Sequence, residues 1–465
     1  MIKIGFTLLI SIIVWNVSAQ TTTIDHTIQS TVFGGERKIS IFLPEAYEKQ
    51  KTVAPFHVAY LLDGQFEPYF TITKGIIDYY AQSQQGIPLI VVAIHTQNRW
   101  DEFVPTCGDL QNDTIGAQRF TRFLAKEVIP TIDSMYSTSD FRLGIGHSLG
   151  GTYVLHELFK DQSLFDATIA ISPNLLVCDE QIIRQAANYL KNNPSNHKFI
   201  YTSIGTEGKV EKMFLPGVQQ LDAIFNSLTP KNWYWQSVQL DNSNHMTTFV
   251  PSINDAYLKI SSKLMLLESD LIKMAEDSTQ SFGEQMVQFY TQMTQFSKSN
   301  NEFSPKDAIS VLYKLAQLPY DETTIQYADF IAKRFKNTSF SSDERMEFDK
   351  DIVDVKNRAC FNQIIKQATS YKEQGNLKKA SNLYEKAFEL NVVRGTHNER
   401  LAAVSIFAQT GKIEAAFEQL DLLANKFKLG GNDFFISDET LLPLHQDKRW
   451  QQYMNQFVEN SKLYR

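Results

Sequence analysis

Residues 144–151 read GIGHSLGG, so four glycines surround a single serine, Ser148, between the run DFRL and the helix-like stretch TYVLHELFKD. A serine alcohol held on a tight glycine turn can attack a carbonyl carbon, provided a base takes its proton and an acid orients the base. A G-x-S-x-G match alone is a weak signal, since a chain this long carries one by chance about one time in ten. Here FRLGIG is strand-like and the following residues are helix-like, the setting a nucleophile elbow requires. Gly146 and Gly150 flank a backbone forced into unusual torsions, where a side chain would strike the neighbouring strand or helix. With Gly151 they leave the hydroxyl exposed above the sheet.

Nine histidines could supply the base. His147 lies inside the elbow and points the wrong way to serve its neighbour. His26, His57 and His197 lie near strand starts, His95 ends a strand, His156 sits on the helix after the elbow, and His397 and His445 fall in a helical region. His245 follows the last strand-like run in the polar loop DNSNHMTTF, where the base comes last in chain order. The acid should lie between them, at the end of the preceding strand. FIYTSIGTEGKVEKM supplies Glu207, nearest the strand end and the expected partner, with Glu211 and Asp241 as the other candidates.

From Thr21 to Leu267 short β-branched or aromatic runs alternate with amphipathic stretches. RKISIFLP, FHVAYLLDG, LIVVAIHT, FRLGIGHS, ATIAISP, HKFIYTSIG and WYWQSVQL read as strands. Several are almost continuously apolar, as in strands buried on both faces of a mainly parallel sheet. Between them, segments such as GAQRFTRFLAKEVIPTIDSMY place Phe120, Phe123, Leu124 and Val128 at helical spacing. The pattern predicts an α/β fold, a mainly parallel sheet with helices on both faces, over residues 20–267. Beyond Leu267 strand signals stop. Residues 268–350 read as a helical connecting region broken at KSNNEFSPKD, LPYDET and KNTSFSSDE, and residues 351–465 as an all-α helical-repeat domain.

That last region contains an internal correspondence. Ala368, Tyr371, Gly375, Ala380, Tyr384 and Ala387 reappear 36 residues later as Val404, Phe407, Gly411, Ala416, Leu420 and Leu423. Small residues let antiparallel helices approach, an aromatic fills between them, and glycine ends the first helix. Over residues 361–428 this resembles the tetratricopeptide repeat, with a turn about two residues longer than its usual period of about 34. Two units are few for a solenoid, so the preceding helices are expected to stack on them. Such surfaces suit a peptide or protein partner, and fused to an enzyme the domain could equally cover the active-site mouth or make a dimer.

Residues 1–19, with Lys3, the apolar run Ile4 to Val14 and the small-residue pattern Val17-Ser18-Ala19, read as a signal peptide. The chain is therefore expected to be exported, periplasmic or secreted, with no membrane span once the signal is removed. The formal net charge is −7, with no long run of either sign, which argues against a nucleic-acid partner. Three cysteines are too few for a disulfide framework and their spacing suits no zinc site. They are expected as buried thiols, with Cys107 and Cys178 the pair an exported chain would most readily oxidise.

AYLLDGQ (59–65), VVAIHTQNRWDEFVPT (91–106), FLAKEVIPTIDSMY (123–136), LGIGHSLGG (143–151), AISP (170–173) and His245 occur in the order seen in the putative-esterase branch of α/β hydrolases. The resemblance spans residues 25–265 and includes esterase D-like and enterochelin-esterase-like proteins. It departs at ISPNLL, where an aromatic commonly follows Ser-Pro. It implies a serine esterase acting on a small-molecule ester through Ser148, His245 and an acid, with no metal and no organic cofactor. The oxyanion would be held by the backbone N–H groups of Leu149 and Gln65, and Asn98 and Arg99 would lie at the pocket mouth, touching substrate or shaping a loop. Two other functions fit the same residues. A hydrolase fold whose acid has decayed would serve as a ligand- or protein-binding module, and an acyltransferase would differ only in what resolves the acyl-enzyme.

Overall fold

The computed structural model describes residues 22–52, 54–107, 115–160, 162–192, 197–228, 233–298, 302–392 and 396–464. The signal-peptide expectation for residues 1–19 lies outside them. The described residues form two units, one comprising residues up to Leu267 together with Thr291–Asn300, the other comprising Glu268–Tyr290 and Asn301–Arg465.

The first unit is built on eight strands: β1 (Thr22–Ser30), β2 (Gly35–Leu43), β3 (Phe56–Leu62), β4 (Leu89–Ile94), β5 (Thr138–His147), β6 (Ala167–Ile171), β7 (Lys198–Gly205) and β8 (Trp233–Leu240). They form one sheet in the order β1-β2-β4-β3-β5-β6-β7-β8. β1 and β2 are antiparallel to each other, β2 is antiparallel to β4, and all remaining pairs are parallel. The fold is that of an α/β hydrolase.

Side-chain alternation explains why the central strands are apolar throughout. Tyr60, Leu62, Val92 and Ile94 enter the core on one face of the sheet. Their neighbours Ala59, Leu61, Val91 and Ala93 enter the core on the other. Helices cover both faces, so neither set meets water. β1 escaped the sequence reading because, as an edge strand, it alternates partly buried residues with exposed Thr23, Asp25, Thr27 and Gln29. Its apolar residues are too sparse to stand out.

The strand-rich unit reclaims a short piece of chain beyond Leu267. Phe296 packs its ring 5.1 Å from that of Phe141, and Lys298 lies 2.5 Å from the buried carboxylate of Asp166. The second unit is helical. Ser304 with Asp307 and Ser341 with Glu344 form reciprocal capping boxes at the starts of helices Pro305–Leu315 and Ser342–Glu373. Helix Ser342–Glu373 runs unbroken through 350/351, where the sequence suggested a division, because no breaker intervenes before Gly375. Helices Leu377–Phe388, His397–Gln409 and Ile413–Asp421 follow. Most corresponding positions behave alike: Ala368 and Val404, Ala380 and Ala416, and Tyr384 and Leu420 are all buried, whereas Tyr371 is only partly buried and Phe407 fully. Gly375 and Gly411 both sit just past a helix at φ 74° and 75°. Among the described residues no helix is long and apolar enough to cross a membrane.

Candidate active site

β5 ends at His147, and the chain turns at Ser148 with φ 59° and ψ −121° before entering the helix Leu149–Leu158. Such torsions are costly for a residue with a side chain and persist only where the surroundings impose them. The surroundings do so here. Ser148 N–H donates to Ile171 O on β6 at 2.8 Å, and Thr152 N–H donates back to Ser148 O at 3.0 Å. A Cβ on Gly146 would lie 2.2 Å from the carbonyl carbon and oxygen of Gly150, so the strand and helix can meet only across glycine. The serine is left partly exposed at the carboxyl end of the parallel strands, where open α/β sheets bind ligands.

The helix begins at Leu149, whose N–H has no intrahelical acceptor and carries the positive end of the helix dipole. The loop after β3 supplies a second donor. Asp63 at φ 60° starts a turn in which Phe66 N–H donates to Asp63 O at 2.9 Å and Gly64 N–H to Ile94 O at 2.8 Å. Among the described residues the Gln65 N–H donates to no protein acceptor, while its side-chain oxygen accepts Thr96 N–H at 2.7 Å.

His245 sits in the turn after β8. Its Nδ1 lies 2.7 Å from Glu211 Oε1, with the histidine 22% exposed and the carboxylate fully buried. Because a carboxylate accepts, Nδ1 carries the proton and a neutral ring presents Nε2 as a free base. Glu211 is held from several sides. Its Oε2 accepts Gly205 N–H at 2.7 Å and the Ser172 hydroxyl at 3.2 Å. Burial pushes the Glu211 carboxyl upward, but the hydrogen bonds from His245, Gly205 and Ser172 outweigh it and hold the pKa below the ordinary glutamate value.

Glu207, the partner expected from the sequence, is not the carboxylate that His245 Nδ1 meets in this geometry. It is exposed, and its backbone N–H binds Ser243 O at 2.9 Å. The chain then turns at Gly208 (φ 88°) into the helix Gly208–Leu228, and Glu211 in its first turn is the carboxylate that reaches back beneath the end of β7. Asp241 is exposed as well. A signal for Glu211 was present: an acidic residue in the first turn of a helix that starts at glycine is favoured by the helix dipole. Ser172, in AISP, was missed as a support for the acid.

Asn98 and Arg99 are occupied with loop structure. Asn98 Oδ1 accepts Asp101 N–H at 3.3 Å and caps the short helix Arg99–Phe103. Arg99 forms a two-pronged bridge to Asp63, at 2.8 and 3.0 Å, and donates to His147 O at 3.0 Å. Burial raises the Asp63 carboxyl, and Arg99 opposes that rise. One guanidinium thus braces the loop after β3 against the residue preceding Ser148.

The expectation of unpaired thiols is corrected, and the bond that forms joins the pair named as most readily oxidised. Cys107 and Cys178 form a disulfide with Cα atoms 5.0 Å apart, and only Cys360 is free. In the chain-entropy account, closing a loop of this length is worth roughly 4 kcal/mol. Spacing in sequence could not reveal that the segment after Pro105-Thr106 meets the start of the helix Val177–Asn192. Among the described residues no group of three or more His, Cys, Asp or Glu could hold a metal.

Residues 30–244 match the "Putative esterase" family. Similar solved structures include the following. An uncharacterised protein from Capnocytophaga ochracea is 16% identical over 79% of this chain and 94% of its own, with a TM-score of 0.55. An IroE-like serine hydrolase from Shewanella oneidensis is 20% identical over 72% of this chain and 99% of its own, with a TM-score of 0.49. A siderophore hydrolase from Aspergillus nidulans is 17% identical over 56% and 99% of the two chains, with a TM-score of 0.43. Comparison with curated proteins finds no match.

Proposed function

We propose that the protein is an exported serine esterase that hydrolyses small-molecule carboxylic esters through Ser148, His245 and Glu211. The observation that carries this reading is the 2.7 Å bond between His245 Nδ1 and buried Glu211, formed beside an elbow that holds Ser148 at φ 59°. Ser148 Oγ attacks the ester carbonyl carbon while His245 Nε2 takes its proton. The carbonyl electrons move to oxygen, where the N–H groups of Leu149 and Gln65 stabilise the charge. The intermediate collapses as His245 returns the proton to the departing alkoxide, which leaves as the alcohol. Water, deprotonated by His245, then attacks the acyl carbon; the bond to Ser148 Oγ breaks, His245 returns the proton to Oγ, and the carboxylic acid leaves. Glu211 keeps Nδ1 protonated and favours the imidazolium in both halves.

Export is supported by the sequence of residues 1–19 and by the Cys107–Cys178 disulfide, since such bonds persist in oxidising compartments. The helical unit, with its repeat-like helix pairs, is proposed to engage a peptide or protein partner. Short-chain, aryl and siderophore lactone esters are the substrates to screen first.

The test is exposure of the mature protein to a fluorophosphonate, with peptide mapping of the adduct by mass spectrometry. A single adduct on Ser148, absent from Ser148→Ala, is expected. The same variant should lose about four to six orders of magnitude in kcat while remaining folded. Folded, accessible protein that takes up no probe would leave a binding module as the better reading.

A further inference from the structure

Building on the esterase reading above, we propose that His147 is a positioning residue that registers the turn carrying His245 against the strand carrying Ser148. Its ring is buried between two partners. Nε2 lies 2.6 Å from the backbone oxygen of His245, and Nδ1 lies 2.7 Å from the Tyr69 hydroxyl. A carbonyl can only accept, so Nε2 carries the proton, and in a neutral ring Nδ1 must then accept from Tyr69. Burial, with His245 nearby, lowers the His147 pKa to about 3, which keeps the ring neutral. Tyr69 therefore fixes the tautomer that lets His147 hold the carbonyl, and Tyr69 is itself stacked on Phe249 with ring centroids 4.0 Å apart.

A generic buried histidine would also satisfy both nitrogens. The distinction lies in what this one connects. Several bonds tie the turn 241–248 to the loop that carries the acid: Glu207 N–H to Ser243 O at 2.9 Å, Asn242 N–H to Thr206 Oγ1 at 3.0 Å, and His245 Nδ1 to Glu211. Those set the base relative to the acid. Among the described residues, the His147–His245 bond is the hydrogen bond that ties this turn to residues 144–151, and so sets the base relative to the nucleophile. Arg99 fixes the other side of the same residue by donating to its carbonyl. The side chain next to the nucleophile thus carries the distance across which the proton must move, and misplacement by about 1 Å can cost up to about 100-fold in rate.

The full-length protein is tested with a p-nitrophenyl ester and a fluorophosphonate. His147→Leu is expected to lower kcat and the labelling rate about 10- to 100-fold with KM changed less than about twofold. His147→Gln, whose amide N–H reaches about as far as Nε2, should recover to within about threefold of the parent. Tyr69→Phe should lose about three- to tenfold in kcat, because it releases the tautomer without removing the donor. The proposal is overturned if folded His147→Leu keeps the parent kcat, if Leu and Gln are equally impaired, or if only KM changes. Should His147→Leu fail to fold, parental kcat in Tyr69→Phe overturns it. Parental turnover in Ser148→Ala or His245→Ala would instead sink the underlying triad, so the two failures are distinguishable.

Discussion

Both units of the molecule use left-handed backbone beyond helices, but only the strand-rich unit also uses it at the ends of strands. In the strand-rich unit Asp63, Ser148, Ser172 and Asn242 have φ between 43° and 60°, and each lies just past the carboxyl end of a strand, after β3, β5, β6 and β8. These are residues with side chains, held there by hydrogen bonds to neighbouring strands and loops. In the helical unit Gly375, Gly411 and Lys428 lie two residues beyond a helix at φ between 53° and 75°, and Asn391 lies three beyond one at φ 54°. There the conformation ends a helix and lets the next one pack back. Left-handed residues also follow helices in the first unit, at Gln84 and Lys298, so what sets that unit apart is the group at its strand ends, beside Ser148 and the loops that carry Glu211 and His245.

The comparison breaks most sharply at the acid. If strain and buried polar groups in the first unit serve the reaction, Glu211→Gln should lower kcat by about 10³- to 10⁴-fold, since the amide no longer stabilises the imidazolium. Glu207→Gln, four residues away and exposed, should stay within about twofold. Steady-state kinetics on one ester with both variants checks this. Equal, mild losses would mean that the 2.7 Å bond has no part in turnover.

Acid sensitivity is the next largest expected difference. Burial lowers the pKa of His57 to about 4, and of His147 and His156 to about 3, all in the strand-rich unit. A base whose folded pKa is depressed leaves stability intact above the unfolded value near 6.5. Below it the unfolded chain binds protons that the folded chain refuses, so stability falls as pH drops towards 4 and 3. Three such groups set a limiting slope of about 4 kcal/mol per pH unit. Calorimetry between pH 7 and 4 should show Tm of the transition involving this unit falling steeply. His156→Asn, which keeps a donor for Gln185, should reduce the slope by about a third. An unchanged slope would place the acid sensitivity elsewhere.

How much of this could be read from the sequence depended on the range of the interaction involved. The central strands and the elbow were legible because burial on both faces and close strand-to-helix contact leave dense local signals, seen in LIVVAI and in GIGHSLGG. His245 was legible from chain order. Glu207 was favoured over Glu211 because distance along the chain stood in for distance in space, and one helical turn after Gly208 reverses that ranking. The roles of Ser172, Tyr69 and His147 arise from contacts across 39 to 98 positions, which no local pattern records. Cys107 and Cys178, 71 residues apart, could be named as the pair to oxidise, but their approach to bonding distance was not legible, for the same reason. Phe296 and Lys298 likewise return to the first unit after its strand signals have ended.

The smallest effect sharpens the contrast from the helical side. A Cβ on Gly411 would meet no atom within 4 Å, so the cost of Gly411→Ala is confined to placing alanine at φ 75°. That cost is of the order of 1 to 2 kcal/mol, or a fall in Tm of a few degrees. Gly375→Ala, at φ 74° and equally open, should match it, since the two glycines hold corresponding places 36 residues apart. Ester turnover in both variants should equal that of the parent. Gly146→Ala in the other unit is the counterpart: its Cβ would collide with the backbone of Gly150, so turnover should collapse there even if the protein remains folded. Calorimetry with kinetics on the three variants separates the cases. A loss of turnover in Gly411→Ala would mean that helix termination in the second unit also governs the reaction in the first.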